Sequence, residues 1–118
     1  MASKFNQSYF RFLELVNLIA DIKPSIALDK FEILLLDHIA LALSQNTDLL
    51  VKDLISLSKI GSLATLHNRL KNLVALGFIR LIADDQDNRK KHVVLTAKAQ
   101  KYYEKLSLLI DKKGLIRK

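Results

Sequence analysis

The chain has 118 residues, half of them hydrophobic and 26% charged, which suits one hydrophobic core and excludes disorder as the default state. Nineteen basic against twelve acidic side chains leave a net charge of +7, and the absence of cysteine excludes disulfides, thiolate metal sites, cysteine nucleophiles and thiol-based redox sensing. The charge is uneven: residues 1–60 hold six basic and seven acidic side chains, residues 61–118 thirteen and five, so the second half favours a polyanionic partner. No apolar run reaches the length of a membrane span, and residues 1–5 lack the charged-then-apolar order of a secretion signal. The expectation is a soluble cytoplasmic protein with no membrane partner.

Three glycines and one proline are too few turn residues for an all-β sandwich or barrel, so the fold is expected to be mainly α. Phe5, Tyr9, Phe12, Val16 and Ile19 recur at helical spacing, while Phe10, Leu13, Leu15 and Leu18 lie off that stripe. A helix apolar over so wide an arc calls for a second partner, and another subunit would serve. Lys23, Pro24 and Ser25 stop it. A second helix opens at Asp29, with Glu32 completing a capping box, and runs through Phe31, Leu34, Leu35, Ile39 and Leu41. Thr47 or Asp48 caps a short helix over about residues 50–57, and a turn follows near residues 58–61. From Ser62 the leucines at 66, 70, 73 and 76 mark a further helix that stops at Gly77. Residues 78–82 and 91–95 then read as a hairpin around a polar loop, and Thr96 caps a last helix carrying Ala99, Tyr103, Leu106 and Ile110 on one face.

Two helices joined by a tight turn and followed by a hairpin with a charged tip are the layout of a winged helix-turn-helix. A helix fits the major groove of duplex DNA, and a hairpin tip reaches the adjoining backbone or minor groove. With the leucines inward, Ser62, Thr65, His67, Asn68, Arg69, Lys71 and Asn72 remain to face a ligand, and no Asp or Glu occurs from residue 62 to 82. At the tip, Asp84, Asp85 and Asp87 precede Arg89, Lys90 and Lys91. Asp87 is expected to orient Arg89 while the three cations face phosphates. A calcium loop is rejected, because neither the glycine nor the closing bidentate glutamate is in place.

The stretch Asp84-Asp85-Gln86-Asp87-Asn88-Arg89-Lys90-Lys91-His92-Val93-Val94-Leu95-Thr96 resembles the wing signature of the MarR transcription regulators, D-x-x-D-x-R, a strand, then Leu-Thr. Leu54, Thr65, Leu70, Leu73, Gly77 and Ile79 fall where that family carries matching residues, so the resemblance covers about residues 50–96. It implies a dimeric repressor or activator with Arg89 as wing arginine and the helix from about Ser62 as recognition helix. Ala99 stands where the family has a glycine, the turn is one residue longer, and one C-terminal helix is read where most members have two. Many members form a small-molecule effector pocket near the dimer interface.

The expected architecture is a single winged-helix domain over 1–118. Its helix-turn-helix spans about 50–76, its wing about 78–95, and dimerisation helices about 4–22 and 97–112. The expected function is sequence-specific binding of double-stranded DNA by a homodimer on an inverted repeat, with two alternatives. One is a winged-helix module for protein association, the other a non-specific nucleic-acid-binding protein. No histidine pair has ligand spacing, and neither a phosphate loop nor a nucleophile elbow is present, so no metal, cofactor or catalysis is expected.

Overall fold

The computed structural model describes residues 7–22, 27–55 and 62–112. Its elements are α1 (Gln7–Ile22), α2 (Lys30–Ser44), α3 (Val51–Ile55), α4 (Leu63–Ala75), β1 (Ile79–Ala83), β2 (Lys91–Leu95) and α5 (Ala97–Lys112). The order is that of a winged helix: helices, then an antiparallel hairpin, then a helix. The stop of α1 expected at Lys23 to Ser25 and the turn near 58–61 lie outside the described residues.

The unit Asp29–Gln100 contains the three middle helices and the hairpin. Its core is built from Leu35, Leu36 and Ile39 of α2, Leu54 of α3, Leu66, Leu70 and Leu73 of α4, and Phe78, Ile79, Val93 and Ala99. Of the apolar residues that mark α2 in the sequence, Phe31, Leu34 and Leu41 are exposed. Leucines at 34, 35 and 36 cannot all lie on the arc that packs against α4, and the buried seam follows residues 32, 35, 36 and 39.

Both long helices of this unit end in a Schellman motif. After α2, the Asn46 amide donates to Leu43 O and the Thr47 amide to Ala42 O, with Asn46 at φ 61°. After α4, Gly77 donates to Val74 O and Phe78 to Leu73 O, with Gly77 at φ 83°. Helix α3 differs from expectation at its start. The Leu50 amide is capped by Asp53 Oδ2 at 3.0 Å from inside the helix, and Asp48, read as a cap, turns to His92 instead.

The hairpin register runs from Ile79 opposite Leu95 to Ala83 opposite Lys91. Leu50 adds an isolated bridge to His92, and the Val93 amide donates to Leu49 O at 2.8 Å, so β2 is tied to the chain entering α3. At the base of the hairpin, the Thr96 hydroxyl bonds Gly77 O and Phe78 O and also accepts from the Ala99 amide, the cap expected for α5. Lys98 closes the same corner, its Nζ donating to Leu76 O at 2.8 Å while lying 4.5 Å from the Phe78 ring centre.

The second unit comprises α1 and α5 from Lys101 onward. On α1 the outcome inverts the stripe seen in the sequence. Leu15, off the stripe, is buried, and Tyr9, Phe12 and Val16, on it, are exposed together with Phe10. On α5 Tyr102 is buried, Leu108 is exposed, and the rings of Tyr102 and Tyr103 meet edge-on at 5.0 Å. No described helix is long and apolar enough to cross a membrane.

Candidate nucleic-acid interface

Helix α4 starts at Ser62, whose Oγ accepts from the Thr65 amide at 3.2 Å and donates to Thr65 Oγ1 at 3.0 Å. Its first turn carries no acid, so the positive end of its dipole is not neutralised there. His67, Asn68 and Lys71 are exposed. Leu63 and Ala64 are exposed beside them, an apolar contribution to this face that sequence reading passed over.

Arg69 and Asn72 stand differently. Arg69 Nη1 lies 2.7 Å from Asp29 Oδ2 and 3.6 Å from Glu32 Oε2, and Asn72 Nδ2 donates to Glu32 Oε2 at 2.5 Å. Glu32 is 3% exposed and also accepts from the Asp29 amide through Oε1, while Asp29 Oδ1 accepts from the Glu32 amide. The capping box of α2 is thus also the socket for two side chains of α4. Every oxygen of the buried carboxylate has a donor, as burial of a charge requires. Arg69 Nε is buried without a hydrogen-bond partner among the described residues.

At the hairpin tip two carboxylates are drawn inward. Asp84 Oδ2 accepts from the amides of Gln86 and Asp87, and Asp87 Oδ1 accepts from the Arg89 amide at 3.0 Å and from Arg89 Nε at 3.1 Å. Arg89 Nη2 completes the fork to Asp87 Oδ2 at 3.4 Å, the pairing expected from the sequence. The Arg89 guanidinium, followed by its amide, holds the Asp87 carboxyl below its ordinary value. Arg89 nevertheless keeps 91% of its side chain exposed, and Lys90 and Lys91 are exposed beside it. Asp84 and Asp87 are thus held within the tip while Asp85 stays exposed, so Arg89, Lys90 and Lys91 project from a tip whose formal charges balance.

A residue that sequence reading set aside joins this tip to the helices. His92 Nε2 lies 2.8 Å from Asp84 Oδ1 and Nδ1 lies 3.0 Å from Asp48 Oδ1. Only an imidazolium donates to both carboxylates at once. The bond to Asp84, then that to Asp48, raises the His92 pKa, and the His92 bond is the largest cause lowering that of Asp84. Asp48 is 44 positions from His92, and no spacing rule in the sequence reveals such a pair. Among the described residues no group of acids and histidines forms a metal site.

No protein-family model matches the chain, and no curated protein matches it in sequence. Its fold does match solved structures, and the class it defines is the winged helix. S. aureus MepR, solved as a complex with DNA, aligns over 92% of this chain and 86% of its own at a TM-score of 0.66 and 23% identity. A mutant MarR from E. coli aligns over 98% and 80% at 0.60 and 16% identity. A MarR protein from Peptoclostridium difficile aligns over 97% and 70% at 0.57 and 23% identity. The chain therefore has the winged-helix fold of MarR-type regulators, and what it does with that fold is decided by its own side chains.

Proposed function

We propose that the chain is a non-catalytic regulator that binds double-stranded DNA sequence-specifically as a homodimer on an inverted repeat. The observation that carries the reading is the pairing of an acid-free outer face on α4 with a hairpin tip whose bases project and whose Asp84 and Asp87 are occupied. It is supported by likeness to MepR, a protein solved on DNA. Ser62, Thr65, His67, Asn68 and Lys71 face the major groove, and Arg89, Lys90 and Lys91 meet phosphates or the minor groove. Arg69 and Asn72, in the same helix, hold it to α2, and any contact of theirs with DNA competes with Asp29 and Glu32. The exposed aromatic stripe of α1, with Leu108 of α5, supplies the dimer seam.

Selection of bound fragments from random duplexes, followed by anisotropy at two salt concentrations, tests this reading. A bound inverted repeat is expected, with affinity falling roughly 10³-fold or more between about 50 and 200 mM salt for six or more phosphate contacts per dimer. Equal affinity for selected and random duplexes contradicts specificity, and no binding at low salt contradicts the reading altogether.

A further inference from the structure

His92 is the one side chain among those described here that links the hairpin tip to the chain entering α3 by hydrogen bonds at both ends. Its surroundings decide its charge. Asp84 comes from the tip and Asp48 from the segment between α2 and α3, while the hairpin partner of His92 is the apolar Ile82. Helix α3 brings Asp53, whose carboxylate serves the Leu50 amide, and Lys52; Lys90 and Lys91 are the cations nearest in sequence. The two carboxylates differ: Asp84 is 28% exposed, whereas Asp48 is 72% exposed, so solvent screens the Asp48 contact more.

We infer that His92 is a positioning residue for DNA binding, holding the wing against the start of the helix-turn-helix while both ring nitrogens are protonated. This rests on the DNA-binding reading. A neutral imidazole keeps one donor, so one carboxylate loses its bond and faces a nitrogen lone pair. Asp48 and Asp84 then lose the cation between them. What remains at the joint is the backbone bridge between Leu50 and His92, which includes the Val93 amide on Leu49 O, and the buried side chains of Leu49 and Val93, which hold the base of the wing and leave its tip less restrained. The tip then samples positions from which Arg89 does not reach the duplex. A wing held only a tenth of the time weakens binding about tenfold.

The sign is fixed by the direction of the shifts. The raised His92 contributes below its ordinary value of 6.5 and loses that contribution as pH rises through its folded pKa. The lowered Asp84 contributes above 3.8 and loses that contribution as pH falls through its own folded pKa.

The test uses the full chain without DNA first. NMR titration of the His92 ring is expected to give a midpoint above 6.5, and the hydrogen-exchange protection of the Val93 amide is expected to fall across that midpoint. A midpoint at or below 6.5, or protection independent of pH, overturns the clamp. Anisotropy with a selected duplex from about pH 6 to about pH 9 at constant ionic strength follows. It is made on the unmodified chain, with His67→Gln run in parallel to identify the part of the pH dependence that comes from the imidazole on α4. Affinity is expected to fall with rising pH, to lose that dependence in His92→Gln, and to show it at lower pH in Asp48→Asn. A pH-independent affinity in a chain that binds DNA overturns the positioning role. Absence of binding at any pH overturns the functional reading and this role with it, while the titration and exchange data still decide the clamp.

Discussion

Neighbouring residues on α4 divide the labour of that helix. Asn68 is exposed, whereas Arg69 is paired to Asp29 and Glu32. Asn68→Ala is expected to leave stability within about 0.5 kcal/mol and to lower discrimination between duplexes by about 1–3 kcal/mol at the base it contacts. Glu32→Ala removes half a capping box and strands the Asn72 amide of α4, while Arg69 keeps Asp29, so a loss of about 1–3 kcal/mol in urea unfolding is expected. A double-mutant cycle of Glu32→Ala with Arg69→Ala should give a coupling of roughly 0.5–2 kcal/mol, and strict additivity would falsify the socket. The capping box was legible in the sequence because Asp29 and Glu32 stand three apart; its second use was not. Nothing local distinguishes an arginine bound to a carboxylate 37 or 40 positions away from one aimed at solvent.

At the scale of elements, boundaries were readable where one residue type governs them. Gly77, at φ 83°, ends α4, and a Cβ there would meet only the Lys98 side chain at 3.9 Å, an ordinary contact. The cost of Gly77→Ala is therefore conformational, about 1–2 kcal/mol, measurable as a lower thermal midpoint. If the midpoint holds, the turn tolerates another backbone geometry. The hairpin and its Asp87–Arg89 pair were equally legible, because strand periodicity and the D-x-x-D-x-R pattern are local. The buried arcs of α1 and α2 were not. Both helices carry apolar residues around most of their circumference, so the period marks a helix without saying which side is covered, as exposed Phe12 and Phe31 show.

For the molecule as a whole, the basic surplus and the exposed aromatics fall in different places. The basic surplus lies in residues 61–118, and the exposed aromatics cluster on α1, where Tyr9 stacks with Phe12 at 6.1 Å. Phe12→Asp is expected to shift sedimentation from dimer to monomer and to reduce affinity for an inverted repeat to that for a half-site, with a thermal midpoint no longer dependent on concentration. An unchanged sedimentation coefficient would place the seam elsewhere. The chain has no tryptophan and three tyrosines, Tyr9 on α1 and Tyr102 and Tyr103 on α5, with none on α4 or the hairpin. Its tyrosine emission thus comes from α1 and α5, and α4 and the hairpin contribute none. Brightening or quenching that persists on adding duplex, once the absorbance of the duplex is corrected for, would report a disturbance at α1 or α5, a label-free signal already built into the polypeptide.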